Sequence, residues 1–152
     1  MLQVGSMAPE FELTDQHGEA RTLAALLVRG PLVLYFYPAD FTPVCTAEAC
    51  MFRDVHTEIA EAGLSVAGIS PQSSASHQKF GGRHKLPFPL LADTDKSVVR
   101  AYEANGPFGI GVRRLTYLIA PDRTITDAVR SDLGIGRHRK FVRAAIEARS
   151  GS

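Results

Sequence analysis

The stretch LVLYFYPADFTPVCTAEAC, residues 32–50, decides the fold of this chain. Its first six residues, 32–37, are all apolar or aromatic, which is typical of a strand buried on both faces of a sheet. Pro38 follows and ends the strand. Over 46–62 apolar side chains recur at helical spacing with charged residues between them, and Gly63 stands where a helix commonly ends. A buried strand that leads into an amphipathic helix indicates an α/β protein.

Outward from this stretch, signals for strands and helices alternate. Before it, apolar residues on either side of a turn at 16–18 predict an N-terminal β-hairpin. After it, we predict strand 64–69, helix 74–84, strand 88–91, helix 94–102, strands 115–119 and 125–129, and helix 138–148. This order predicts a central mixed β-sheet flanked by helices. Because no change in composition divides the chain, we predict one domain over 2–148 and a loose tail over 149–152.

Charge and hydropathy exclude two classes of partner. The 152 residues include 17 basic and 16 acidic side chains, for a net charge of +1, so we expect no nucleic-acid partner. The longest apolar run, 31–37, is far shorter than the roughly 20 residues that cross a bilayer, and the first residues do not resemble a signal peptide. We therefore expect no membrane partner and a cytoplasmic location.

The inventory of metal-ligating residues predicts a protein without metal or cofactor. The two cysteines are too few for a disulfide scaffold or a closed structural zinc site. The glycine-rich segments 106–111 and 134–136 match no phosphate-binding fingerprint. We interpret the five scattered histidines as surface or hydrogen-bonded core residues: His17, His56, His77, His84 and His138.

Cys45 lies where the buried strand gives way to the long helix. Unpaired backbone N–H groups and the positive end of the helix dipole favour a thiolate at a helix start. Pro43 suits a first helical turn, and the hydroxyl of Thr42 can either cap the helix or hydrogen-bond a bound substrate. Cys45 is therefore a candidate nucleophile.

Cys50 follows Cys45 by five residues. On an ideal helix this spacing gives a rotation of about 140° and a rise of about 7.5 Å, so the two sulfurs start on different faces. A disulfide needs Cα atoms within about 7 Å and converging side chains, so a Cys45–Cys50 bond requires the helix to open. The alternative is that Cys50 is a small buried hydrophobe. The spacing alone leaves both interpretations open.

The pattern Pro-x-x-x-Thr-x-x-Cys, formed by Pro38, Thr42 and Cys45, resembles the active-site motif of the peroxiredoxins. The residues around it resemble the peroxiredoxin Q or bacterioferritin comigratory protein subfamily, and the likeness continues in order at 5–13, 66–70, 86–93 and 114–121. The resemblance implies a thioredoxin-like fold. It also implies an antioxidant enzyme, a thiol-dependent peroxidase that reduces hydrogen peroxide and organic hydroperoxides.

The same resemblance implies roles for individual residues. Cys45 matches the peroxidatic cysteine, and Cys50 matches the resolving cysteine of members that carry it in the same helix. Arg114 matches the arginine that faces the thiolate from a neighbouring strand, with the adjacent Arg113 as the alternative. Glu48 matches a residue that helps to orient this arginine.

The chemistry that follows needs only thiols and hydrogen-bond donors. Pro38 would exclude water from the site and Thr42 would contact the peroxide. A sulfenic acid on the first cysteine would condense with the second, and an external dithiol such as thioredoxin would reduce the disulfide. Two positions depart from the family pattern: Ala39 stands where lysine is common, and Val44 replaces a frequent glycine.

Two other functions compete with this interpretation. A thioredoxin-type disulfide oxidoreductase would carry C-x-x-C, whereas this chain has C-x4-C. A non-catalytic thioredoxin-like module would carry unreactive thiols. We expect a monomer, because the cysteine pair is self-contained, and the alternative is a dimer with Phe41 or Phe108 at the contact.

Overall fold

A seven-stranded sheet and six α-helices make up the computed structural model, which describes residues 1–150. The strands are β1 (Glu12–Thr14), β2 (Ala20–Thr22), β3 (Leu32–Phe36), β4 (Ser65–Ser70), β5 (Leu90–Ala92), β6 (Leu115–Ile119) and β7 (Ile125–Arg130). The helices are α1 (Leu23–Leu26), α2 (Pro43–Asp54), α3 (His56–Glu61), α4 (Ser74–His84), α5 (Ser97–Ala101) and α6 (Gly136–Ser150), with a 3-10 turn at Pro107–Gly109.

The sheet is mixed, with the order β2-β1-β5-β4-β3-β6-β7. Strand β3 runs parallel to β4 and antiparallel to β6. Strands β1 and β2 form the predicted N-terminal hairpin. The carboxyl end of β3 therefore lies between β4 and the start of β6, and the chain enters α2 from this end.

Both faces of β3 are buried, as the run of apolar residues predicts. Val33 and Tyr35 face a core cluster that includes side chains of α2, α3, α4 and α6. Leu32, Leu34 and Phe36 face a second cluster with α1 and α5 on the other side of the sheet. Because adjacent residues of a strand point to opposite faces, a run without polar residues fills both layers.

The predicted helix 46–62 is wrong in two respects. The helix begins three residues earlier, because Thr42 is extended (ψ 150°) and Pro43 takes the first helical turn. It also breaks at Val55 (φ −103°, ψ 8°), so that α2 and α3 are separate elements. No proline or glycine marks the break. Phe52 on α2 and Ile59 on α3 are both fully buried in the same cluster.

Helix α5 is shorter than the predicted 94–102. Lys96 precedes it in the left-handed conformation (φ 61°), which ends any helix on its amino side. The Asp93 carboxylate accepts hydrogen bonds from the backbone N–H of Val99 at 2.7 Å and from the Ser97 hydroxyl at 3.4 Å. These contacts fix the helix start at Ser97 rather than at residue 94.

Two chain segments carry structure that the sequence pattern does not predict. Helix α6 runs two residues into the tail predicted to be loose, and the Arg149 Nε donates to the Ala62 carbonyl at 3.0 Å. Residues 151–152 of the predicted tail lie outside the described residues. Helix α1 is a single turn, too short to show a helical period.

Within residues 1–150, no helix has the length and apolar character needed to cross a membrane. The same part of the chain brings together no group of three or more His, Cys, Asp or Glu side chains with the geometry to hold a metal ion.

Candidate active site

Cys45 is the third residue of α2 and is 1% exposed. The first main-chain bond of this helix joins the Thr46 N–H to the Thr42 carbonyl at 2.8 Å. The N–H groups of Val44 and Cys45 precede this bond, so they belong to the orphan donors of a helix start. The Cys45 sulfur is thus held beside the positive end of α2, as the sequence predicts.

Arg114 lies against Cys45. It immediately precedes β6, and Leu115 at the start of β6 pairs with Phe36 at the end of β3, which carries the arginine to the site. The Arg114 Nη2 donates to the Cys45 Sγ at 3.2 Å, and the side chain is 95% buried. Arg113 instead pairs with Asp132 at 3.4 Å, partly exposed. Of the two adjacent arginines, the structure brings Arg114 to the thiol.

Glu48 holds the other side of the Arg114 guanidinium. The Arg114 Nη1 donates to Glu48 Oε1 at 2.8 Å, and the carboxylate is fully buried. Burial raises the pKa of Glu48 to about 7, against the lowering influence of the Arg114 charge. Burial acts to lower the pKa of Arg114, but the charge of Glu48 and the contact with Cys45 raise it above its ordinary value. The guanidinium therefore bridges a sulfur and a carboxylate as a fixed cation.

A histidine that the sequence pattern does not single out lies behind Glu48. The His138 Nδ1 is 3.6 Å from Glu48 Oε2 and 2.8 Å from the Thr116 hydroxyl. Its Nε2 contacts the Ser131 carbonyl at 3.0 Å, and because a carbonyl only accepts, this nitrogen carries a hydrogen. Burial lowers the pKa of His138. Glu48 and His138 are 90 residues apart, so no local spacing could have indicated their contact.

Asp40, also unassigned by the sequence pattern, ties the loop before α2 to α4. Its carboxylate accepts from the Tyr37 hydroxyl at 2.7 Å and from the Ser76 hydroxyl at 2.7 Å, and it contacts the His77 Nδ1 at 2.7 Å. Burial acts to raise the pKa of Asp40, but His77 and the two hydroxyls hold it below its ordinary value. The His77 Nε2 contacts the Leu91 carbonyl at 3.1 Å, which extends this network to β5.

Pro38, Phe41 and Thr42 lie in the loop that approaches Cys45 along the chain. Thr42 is exposed and occupies the N-cap position, but its hydroxyl donates to the Ala39 carbonyl at 3.0 Å and accepts no bond from the helix. Its lone pairs are therefore free of helix capping. Pro38 is half-buried in the loop. Phe41 is in the left-handed conformation (φ 65°), a region that costs an ordinary residue about 1 kcal/mol, and it lies before the nucleophile.

Cys50 is on α2 together with Cys45, and both cysteines are free thiols. Cys50 is half-exposed and belongs to neither core cluster, so it is not the small buried hydrophobe of the alternative interpretation. The two residues lie within one continuous helix, as the spacing argument requires. We therefore still predict that a bond between the two sulfurs requires local opening of α2.

The chain is similar to known proteins over most of its length. Residues 4–128 match the model of the AhpC/TSA family. The peroxiredoxin Bcp of Bacillus subtilis is 41% identical over 78% of this chain and 78% of its own length.

Solved structures show the same likeness. The peroxidoxin BcpB of Mycobacterium tuberculosis superimposes with a TM-score of 0.90 at 37% identity, over 97% of this chain and 98% of that one. The chain also superimposes on the bacterioferritin comigratory protein of Xanthomonas campestris with a TM-score of 0.83 at 32% identity, over 92% of both chains. That structure was described for the alkyl peroxide reduction activity of the protein. This agreement confirms the predicted thioredoxin-like, peroxiredoxin-type fold.

Proposed function

Because this chain belongs to the AhpC/TSA family and is a peroxiredoxin, a thiol peroxidase, we propose that Cys45 is its peroxidatic cysteine and that Cys50 resolves the oxidised form. The proposed substrates are hydrogen peroxide and organic hydroperoxides. The proposed reductant is thioredoxin or a similar dithiol.

One observation carries the assignment of Cys45. Its sulfur is buried at the start of α2 and accepts a hydrogen bond from Arg114 at 3.2 Å. A guanidinium at this distance stabilises negative charge on sulfur, and the thiolate is the form that attacks. Among residues 1–150, no arginine lies within hydrogen-bond distance of the half-exposed Cys50 sulfur. The two thiols therefore have different environments that suit different steps.

The first step transfers one oxygen to sulfur. The Cys45 thiolate attacks the terminal peroxide oxygen, the S–O bond forms as the O–O bond breaks, and the electron pair of that bond leaves on hydroxide or alkoxide. The leaving group takes a proton to become water or alcohol, and the sulfur is oxidised to sulfenic acid. Charge moves from sulfur along the O–O axis, so fixed donors along that line lower the barrier.

Each neighbouring residue has a proposed part in this step. Arg114 contacts the sulfur and can bind the peroxide oxygens, while Glu48 positions the guanidinium. The Thr42 hydroxyl, which already donates to Ala39, can accept a hydrogen bond from the peroxide O–H. Pro38, half-buried beside this approach, limits access of water.

The test follows peroxide-dependent NADPH oxidation with thioredoxin and thioredoxin reductase. Cys45→Ser is expected to abolish turnover. Cys50→Ser is expected to consume one equivalent of peroxide and stop as the sulfenic acid. Turnover that survives Cys45→Ser contradicts the assignment of the nucleophile. Peroxide consumption supported only by other thiols would reassign the reductant but keep the peroxidase.

We also propose that the protein acts as a monomer in the cytoplasm, where thioredoxin-type reductants keep dithiols reduced. The self-contained cysteine pair supports the monomer. Two apolar side chains, Phe41 (46% exposed) and Phe108 (fully exposed), are the candidate contacts of the alternative dimer. Light scattering during size-exclusion chromatography distinguishes a 16.5 kDa monomer from twice that mass.

A further inference from the structure

Cys50 and His84 face each other across the contact between α2 and α4. The Cys50 Sγ lies 3.9 Å from the His84 Nδ1, within the range of a hydrogen bond to sulfur. His84 is the last residue of α4, and both side chains are half-buried. The steps proposed above give this histidine no part.

The surroundings hold the His84 ring in this orientation. The Arg53 Nη1 on α2 donates to the His84 carbonyl at 2.9 Å, which joins the end of α4 to α2 close to Cys50. The ring packs edge-on against Phe80 at 5.1 Å between centroids, and Phe41 lies 6.4 Å away. These contacts involve the His84 backbone and the packing of its ring. None of them uses the Nδ1 atom, which faces the Cys50 sulfur.

Two charged side chains lie next to this pair. The titratable and charged groups that face it are Arg53, whose charge interacts with Cys50, and Asp54, which pairs with the Arg53 Nε at 3.0 Å. A thiolate formed at Cys50 would therefore lie beside a guanidinium. Because this site is half-exposed, the attraction is screened by solvent and cannot by itself replace a base.

We propose that His84 is the general base of the resolving step and removes the thiol proton of Cys50. This role rests on the proposed function, in which Cys50 attacks the Cys45 sulfenic acid. Thiol–disulfide chemistry needs the thiolate, and an ordinary thiol is only a few per cent ionised at pH 7. A neutral imidazole at the sulfur supplies the missing acceptor.

The step balances in atoms and electrons. The Cys50 proton passes to the His84 Nδ1, and the sulfur electron pair forms the S–S bond with Cys45. The S–O bond of the sulfenic acid breaks, and its electron pair leaves on the hydroxyl, which takes a proton and departs as water. Cys50 is oxidised and the Cys45 sulfur is reduced.

The experiment separates the two half-reactions by rapid mixing of the reduced protein with one equivalent of hydrogen peroxide over pH 5.5–9. A sulfenic acid trap and mass spectrometry follow formation of the Cys45 sulfenic acid and then of the disulfide. His84→Asn removes the base, and His84→Phe removes it but keeps a ring against Phe80. His56→Asn, at another half-buried histidine, is the matched control.

In both His84 variants, disulfide formation at pH 7 is expected to slow by roughly tenfold to thirtyfold, the factor set by the ionised fraction of an ordinary thiol. Sulfenic acid formation is expected to be unchanged. The rate in the variants should depend more strongly on pH than in the wild type, because solvent must then remove the proton. Added imidazole should restore part of the rate in His84→Asn, and His56→Asn should match the wild type.

The outcomes distinguish this role from the function on which it rests. Wild-type rates of disulfide formation in both His84 variants overturn the role of His84 alone. If disulfide formation is slow in His84→Asn but normal in His84→Phe, the packing of the ring matters and the base does not. This result also overturns the role of His84. A wild-type chain that forms a sulfenic acid but no Cys45–Cys50 disulfide overturns the resolving step itself.

Discussion

At the scale of single residues, Arg114 matters because its planar guanidinium contacts two groups at once. One nitrogen donates to the Cys45 sulfur at 3.2 Å and another to the Glu48 carboxylate at 2.8 Å. Lysine keeps the positive charge but has no rigid fork that spans sulfur and carboxylate. The geometry of the donor, and not charge alone, is therefore expected to support the proposed attack of Cys45 on peroxide.

Arg114→Lys is expected to lower the second-order rate constant for Cys45 oxidation by about a hundredfold, the usual effect of losing one fixed donor to developing charge. The chain has no tryptophan whose fluorescence could report the reaction. The rate is therefore measured by competition with a haem peroxidase for a limiting amount of peroxide. The matched control is Arg113→Lys, since Arg113 pairs with Asp132 away from the thiol. Equal rates in both variants would contradict the role of the guanidinium.

Glu48 makes stability depend on pH. Burial raises its pKa from the ordinary 4.5 to about 7, so the folded protein favours the protonated carboxyl. The unfolded chain loses this proton first as pH rises. The contribution of Glu48 to the free energy of unfolding is therefore largest below about pH 4.5. It falls as the pH rises to about 7.

Glu48→Gln removes this dependence. Relative to the variant, the wild type is expected to lose on the order of 3 kcal/mol of unfolding free energy between about pH 4.5 and 7.5, since each unit of pKa shift is worth about 1.4 kcal/mol. Urea unfolding of the reduced proteins at several pH values measures the difference. A difference that does not change with pH would contradict a raised pKa.

At the scale of elements, the proposed disulfide requires α2 to be both ordered and able to open. It carries both cysteines on one continuous helix, and their sulfurs start on different faces. Cys45 and Glu48 near the start of α2 are buried, and so is Phe52 farther along. A bond between the two cysteines therefore requires buried side chains of this helix to leave their packing.

Oxidation is expected to accelerate amide hydrogen exchange over 46–52, because the disulfide geometry is incompatible with these helical turns. Mass spectrometry of the reduced and the disulfide forms measures the change. Peptides from α4 that lie before His84 serve as the internal reference and should exchange equally in both forms. Equal protection of 46–52 in both forms would show that the bond forms without helix opening.

At the scale of the whole molecule, the contacts of the reduced site link distant layers. Cys45 and Glu48 on α2 bind Arg114 before β6, and Glu48 also lies beside His138 on α6. A second network joins Asp40 to α4 and, through His77, to β5. Formation of the disulfide removes Cys45 from the first of these networks.

The disulfide form is therefore expected to have a lower Tm than the reduced form. By chain entropy, a loop this small is worth only about 2 kcal/mol. Opening α2 exposes buried apolar side chains such as Met51 and Phe52, each worth about 1.5–3 kcal/mol of burial. Scanning calorimetry of both forms at one pH measures the difference. A dithiol should restore the reduced Tm. A higher Tm in the disulfide form would show that α2 keeps its packing after oxidation.

Much of the fold follows from local patterns. The apolar run of β3, the hairpin before it and the helical period of α4 all appear with the predicted character, because each depends on neighbours in the chain. Strand β5 begins at Leu90, later than predicted, since Pro87 and Pro89 have no N–H to donate to a ladder. The break at Val55 has no local signal and depends on packing in the core.

Neighbouring residues are enough to indicate a candidate nucleophile, because Thr42, Pro43 and Cys45 lie together at a helix start, and the resemblance of this stretch to the peroxiredoxin motif predicts the class of chemistry. Which arginine reaches the thiol depends on the tertiary structure. Cys45 and Arg114 are 69 residues apart, and the pairing of β6 with β3 brings them together. The contacts of His138 with Glu48 and of His84 with Cys50 arise in the same way. Such contacts depend on strand register and helix packing, which the spacing of residues along the chain does not contain.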